Sequence, residues 1–167
     1  MTVHIRLLAE HDINLIADAF TVIGWNKSAA QYRRYVAEQT TGSRTVFVAF
    51  VDGVFAGYIT IKWQADYPPF QEANIPEIQD FNVLPRFRRQ GLGSHLMDEA
   101  ERTVAARSPL VGIGVGLYAD YGTAQRMYHR RGYIPDGRGL YYRTHIVRPG
   151  ESVIVDDDLI LHFTKTL

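Results

Sequence analysis

The run Val111-Gly112-Ile113-Gly114-Val115-Gly116-Leu117 alternates strictly between apolar side chains and glycine. An extended strand sorts that pattern onto two faces, one apolar and one bare, because successive side chains leave a sheet on opposite sides. The bare face packs nothing of its own, so the alternation predicts close approach of another backbone or a ligand. Such a strand needs a sheet around it, and the rest of the chain supplies the partners.

Val3 to Leu8 alternates well enough for a first strand, and Asp12 stands as the N-cap of a helix carrying Ile13, Ile16, Phe20 and Ile23. Ser28 and Gln31 make a capping box for a second helix with Tyr32, Tyr35 and Val36 on one face, stopped at Gly42. Strands over Thr45 to Phe50 and Phe55 to Lys62 flank Asp52-Gly53, a short hairpin signal. Tyr67-Pro68-Pro69-Phe70 cannot continue a central strand, so Trp63 to Pro76 reads as an aromatic loop. Glu77 to Val83 resumes a strand, and Ser94 to Arg107 is a helix whose buried stripe is Leu96, Met97, Ala100 and Val104. After the glycine-alternating strand, Ala124, Met127 and Tyr128 form a short helical face closed by Gly132. Strands near Leu140 to Val147 and at Leu159 to Lys165 end the chain. The order is β, α, α, β, β, β, α, β, α, β, β, which predicts an α/β (α+β) layer stack: a mixed sheet flanked by helices, one domain over residues 1–167.

Composition removes several function classes. Eighteen Lys plus Arg balance 18 Asp plus Glu, so the chain lacks the overall positive field with which a nucleic-acid binder gathers phosphates. It has no cysteine, which excludes disulfides, thiolate zinc sites and a cysteine nucleophile. The longest apolar run, Val46 to Val51, is far below the ~20 residues a membrane span needs. The first residues lack the basic and long apolar segments of a secretory signal, so the chain reads as cytosolic, with neither nucleic acid nor membrane as partner. Asp156-Asp157-Asp158 reads as a solvated turn rather than a metal site, and the six histidines, scattered without paired spacing on one helix, read as surface or hydrogen-bonded groups.

One segment points to chemistry. Asn82 to Ser94 joins a strand to a helix through a loop bearing Arg86, Arg88, Arg89, Gly91 and Gly93. Glycines let a tight bend turn its N–H groups inward, and a helix start adds unpaired N–H groups and a positive dipole end, so the loop suits a pyrophosphate. A solvated basic loop would carry the same residues. A Walker loop is absent, and a Rossmann fingerprint would need glycine where Leu96 stands.

Arg88-Arg89-Gln90-Gly91-Leu92-Gly93, preceded by Val83-Leu84-Pro85, resembles the Gln/Arg-x-x-Gly-x-Gly/Ala loop of the GNAT superfamily of acyl-CoA N-acyltransferases. Ala124 to Tyr133 is similar to that superfamily's Ala-x-x-x-Tyr-x-x-x-Gly-Phe/Tyr segment, although Tyr121 stands where an Asn is common. The resemblance implies a sheet splayed between its fourth and fifth strands, with the pantetheine arm of acetyl-CoA in the gap. It implies further that Phe81 and Val83 offer backbone groups to the pantetheine or thioester, and that Arg88, Arg89, Gln90, Gly91, Leu92, Gly93 and Ser94 cradle the pyrophosphate.

An amine acceptor is protonated at neutral pH and must lose a proton before it attacks a thioester. The resemblance places a catalytic glutamate at Glu77 and a tyrosine acid at Tyr128. Asp80 is the next candidate base, its side chain expected on the face opposite Glu77 by strand alternation. The implied activity is direct acetyl transfer from acetyl-CoA to a primary amine in a ternary complex, without a metal. The alternatives are a noncatalytic acyl-CoA-binding regulatory module, or an acyltransferase with another acyl donor or a hydroxyl acceptor. Trp25, Trp63, Tyr67, Phe70, Tyr141 and Tyr142 are candidates for an acceptor pocket, for core packing or for a dimer contact; edge strands permit a homodimer without specifying one.

Overall fold

The computed structural model describes residues 2–167. Its strands are β1 (Val3–Leu7), β2 (Arg44–Val51), β3 (Val54–Lys62), β4 (Glu77–Val83), β5 (Leu110–Gly116), β6 (Ile134–Tyr142), β7 (His145–Ile146) and β8 (Leu159–Thr166). They form one mixed sheet in the order β1-β2-β3-β4-β5-β8-β6-β7, antiparallel throughout except at β4–β5. The helices are α1 (Ile13–Val22), α2 (Ala29–Thr40), α3 (Pro68–Glu72), α4 (Leu92–Ala105) and α5 (Gly122–Arg130).

Alternation along β2 and β3 builds two cores. Val46, Val48 and Tyr58 meet Ile16, Phe20 and Tyr32 from α1 and α2 on one face. Phe47, Ala49, Ile59 and Ile61 meet Leu96, Met97, Ala100 and Val104 of α4 on the other, together with Ile78, Val111 and Ile113. Each fully buried Val, Leu, Ile, Phe or Met among them contributes about 1.5–3 kcal/mol of hydrophobic stabilisation. Among the described residues no helix is long and apolar enough to cross a membrane.

Local structure departs from the sequence expectation in four places. Pro68–Glu72 is a short helix rather than loop: proline suits a first helical turn, where no N–H is needed, and this places Pro68 and Pro69 at that turn. Strand β6 starts at Ile134, ahead of Leu140: Ile134 and Pro135 already pair with β8, before the pairing breaks between Pro135 and Leu140, where Gly137 and Gly139 take positive φ. The Ser28–Gln31 capping box does not form: Ser28 makes no side-chain cap bond, and the Gln31 amide bonds Asp80 and Tyr35. Asp12 does not cap α1 through its side chain either; its carboxylate accepts the Ala9 N–H at 2.9 Å and pairs with Arg6.

Candidate active site

Strands β4 and β5 pair only at Glu77–Gly112 and Ile78–Ile113. Beyond those two rungs the strands part, as the resemblance implies, and the β4 edge from Gln79 to Val83 faces a gap. Leu84 N–H donates to Ala56 C=O at 2.9 Å while Gly57 stands opposite Val83. That register turns the N–H and C=O of Val83 away from β3, toward the gap. The Val83 carbonyl accepts Arg88 Nε at 2.9 Å.

A bulge interrupts β4. Tyr58 opposes Asn82 and Thr60 opposes Gln79, so the single residue Ile59 faces two, Asp80 and Phe81. Phe81 therefore has no ladder partner on either neighbouring strand. Asp80 sits at φ 44°, in the left-handed region. The extra residue resets the alternation and corrects the expectation for Asp80. Tyr58, Thr60 and Lys62 share one face of β3, which brings their partners Asn82, Gln79 and Glu77 to the same face of β4. Asp80 bonds Tyr58 and Tyr35 there, on the side of Glu77 rather than opposite it.

The two carboxylates have different environments. Asp80 Oδ1 accepts Lys27 Nζ at 2.7 Å and Asn82 Nδ2 at 2.8 Å; Oδ2 accepts Gln31 Nε2 at 2.8 Å and the hydroxyls of Tyr35 at 2.8 Å and Tyr58 at 2.6 Å. Burial alone would raise its pKa, but the Lys27 ammonium and the tyrosine hydroxyls outweigh it and hold the carboxyl below the usual range. With five donors on about four lone-pair sites, Asp80 has no room for a substrate proton. Glu77 is 5% exposed, and burial pushes its carboxyl up to about 7, against one opposing hydrogen bond from Gln79 Nε2 at 2.9 Å and the charges of Lys62 and Arg44.

Glu77 lines a cleft of about 180 Å³ together with Tyr67, Gln79, Tyr141 and His162, with Asp66 and Asp158 also on its wall. His162 is buried, its ring stacked on Tyr67 at 3.6 Å between centroids and 3° between planes. Burial lowers its pKa to about 4, and its Nδ1 has no partner among the described residues. The sequence reading did not single out His162. The usable signal was its place in the last strand, opposite Gly114.

The bare face of β5 receives side chains, not a backbone or a ligand. A Cβ on Gly112 would collide with the Phe70 ring of α3, one on Gly114 would lie 2.8 Å from Ile160, and one on Gly116 would strike Tyr121. Tyr121 is thereby committed: its ring covers Gly116 and its hydroxyl donates to Asp157 at 2.8 Å, beside the hydroxyl of Tyr118. Of the remaining aromatics, Trp63 donates to Thr45 under the Arg107 guanidinium, and Trp25 stacks on Phe20.

At the far end of β4 the Arg88–Ser94 bend enters α4. Arg89 (φ 59°) and Gly91 (φ 82°) are both left-handed. The Gln90 amide donates to Arg86 C=O at 3.0 Å, bracing the bend, and Arg88 lies 5.6 Å from the Trp25 ring. The first helical bond of α4 is His95 N–H to Gly91 C=O, and no side chain caps the helix, so the N–H groups of Leu92, Gly93 and Ser94 lack helical partners. Leu92 itself is buried in the core, anchoring the helix start, whereas Ser94 is exposed. A Cβ on Gly93 would lie 3.2 Å from Met127 and 3.3 Å from Phe81, so the helix start sits against the bulged strand.

Tyr128 belongs to the core cluster on the α4 side of the sheet, the face opposite Glu77. Burial raises its pKa well above the ordinary phenol value, and its hydroxyl makes no hydrogen bond among the described residues. Gln125, on the same helix, donates to Gly116 C=O at 2.9 Å and ties α5 to the free end of β5.

A sheet opened between its two parallel strands, with an uncapped helix start at one end of the opened edge, is the frame that the resemblance implies. The family model for the acetyltransferase (GNAT) family matches residues 12–133, and the chain belongs to that family as an acetyl-CoA-dependent acyltransferase. Among solved structures, Ard1 from Thermoplasma volcanium is similar at TM-score 0.71 and 21% identity, covering 100% of this chain and 99% of that one. The N-acetyltransferase from Staphylococcus aureus Mu50 is similar at TM-score 0.70 and 15% identity, over 99% of both chains. PaiA N-acetyltransferase from Thermoplasma acidophilum in complex with coenzyme A is similar at TM-score 0.66 and 15% identity, over 97% of this chain and 98% of that one. Comparison with curated protein sequences finds no significant match.

Proposed function

We propose that the protein is a cytosolic, single-domain N-acetyltransferase over residues 1–167 that passes the acetyl group of acetyl-CoA directly to a primary amine in a ternary complex. The observation that carries this reading is the buried carboxyl of Glu77, poised near neutrality and facing a cleft beside the gap in the sheet. In this reading acetyl-CoA lies in the gap as a substrate. The free N–H groups of Leu92, Gly93 and Ser94, the left-handed bend at Gly91 and the side chains of Arg88, Arg89 and Gln90 suit its pyrophosphate. Val83 and Phe81 offer peptide groups to the pantetheine and the thioester.

The acceptor enters through the Glu77 cleft on the opposite face from Tyr128. Glu77 takes a proton from the ammonium, and the freed nitrogen attacks the thioester carbon. Negative charge gathers on the carbonyl oxygen, where the Phe81 N–H donates a hydrogen bond. The C–S bond then breaks as the Tyr128 hydroxyl gives its proton to the departing thiolate; the second proton of the acceptor nitrogen leaves through water and restores the phenol, and Glu77 returns its own proton to solvent.

A thiol-release assay with acetyl-CoA across small amines and peptides tests the reading. Release with at least one amine is expected, and hydroxyl acceptors and longer acyl donors serve as comparison arms. Binding of acetyl-CoA without release to any acceptor would replace the enzyme with a coenzyme-binding module.

A further inference from the structure

We propose that Asp80 is a positioning residue: its carboxylate, gripped by Lys27, Gln31, Tyr35, Tyr58 and Asn82, pins the β4 bulge so that the Phe81 N–H stays turned into the gap. This rests on the gap being the thioester site. Three features set Asp80 apart from a buried ion pair that merely packs. It occupies φ 44°, in the left-handed region, which is uncommon for L residues although aspartate enters it more readily than most. Its five donors come from the α1–α2 connection, α2, β3 and β4, which surround the carboxylate on the α1–α2 side. And it is the residue immediately before Phe81, whose peptide group has no ladder partner on β3 or β5.

A bulge without such a grip has competing states. Sliding β4 by one residue would remove the extra residue, pair Phe81 with β3 and reverse every side chain beyond it. Residues Glu77, Gln79 and Asn82 keep their places only while the extra residue stays at Asp80–Phe81. Electrostatic stabilisation by a peptide N–H depends on the donor being held in place before the charge develops. The Asp80 carboxylate, saturated and ionised, supplies that hold without taking part in proton transfer.

The test compares Asp80→Gly with Asp80→Asn. Glycine adopts φ 44° without strain, so that substitution removes the grip without adding backbone strain; asparagine also tolerates that region and keeps one acceptor oxygen. Calorimetry with CoA and with acetyl-CoA, and kcat and KM with an amine found by the thiol-release assay, are measured on both. Asp80→Gly is expected to lower kcat by about tenfold to a hundredfold. CoA affinity should stay within about threefold of the parent, and any preference for acetyl-CoA over CoA should disappear. Asp80→Asn should recover part of each. Turnover in Asp80→Gly within about twofold of the parent, or an equal loss of kcat and CoA affinity in both variants, overturns the proposal. If Asp80→Gly does not fold, Asp80→Asn and Tyr35→Phe carry the same comparison. If the parent protein turns over no amine, the acetyltransferase reading has failed, and the acetyl-CoA to CoA affinity ratio still decides for or against the clamp.

Discussion

Glu77 and His162 lie 3.9 Å apart, Oε1 to Nε2, in one cleft, and burial drives them in opposite directions, the carboxyl up to about 7 and the imidazole down to about 4. Burial thus favours the neutral form of both, a protonated carboxyl beside an unprotonated ring, and works against an ion pair between them.

Activity should follow that titration. With Glu77 as base, kcat/KM rises as pH passes through about 7. Glu77→Gln should remove that limb and lower the plateau by about a hundredfold or more. A variant that keeps the limb would shift the base to solvent.

Stability should respond in the opposite sense. Glu77 holds its proton more tightly when folded, at about 7, than at its ordinary 4.5, so its contribution is full below 4.5 and is lost as pH rises through 7. Glu77→Gln keeps the neutral form at every pH. The variant should match the parent near pH 4 and exceed it at pH 8 by an amount on the order of 3 kcal/mol. Thermal melts at the two pH values check this; a difference that does not change with pH contradicts it.

Tyr128→Phe removes a hydroxyl that makes no hydrogen bond among the described residues, so the core should tolerate it. Turnover should fall by about tenfold or more, with CoA affinity nearly unchanged. Steady-state kinetics beside calorimetry separate the two, and unchanged turnover removes the acid role.

Gly112→Ala places a methyl against Phe70 and should destabilise the fold by about 1–3 kcal/mol. Phe70→Leu makes room, so in denaturant titrations the double variant should lose less than the two single losses together. Strict additivity would mean that the ring does not fill the glycine face.

The sequence exposed the frame more fully than the site. Periodicity located both central strands and α4, because those segments bury one face and expose another. The side of Asp80 was misread because a bulge is invisible to alternation: Asp80 and Phe81 look like ordinary strand residues until β3 is laid beside them. Gln31 carried a sound capping pattern, yet a buried carboxylate from a distant strand claimed its amide. His162 gained its place beside Glu77 only when β8 paired with β5, a contact between segments far apart in the chain. The bare glycine face was legible, but not its occupants, since Phe70 comes from a helix hidden by two prolines.

A crystal structure with coenzyme A bound is the most direct test. The account predicts its pyrophosphate on the Arg88–Ser94 bend, its pantetheine along Phe81 and Val83 between the parted strands, and its sulfur between Glu77 on one side and the Tyr128 hydroxyl on the other. Coenzyme A seated anywhere else, with β4 and β5 empty between them, would contradict it.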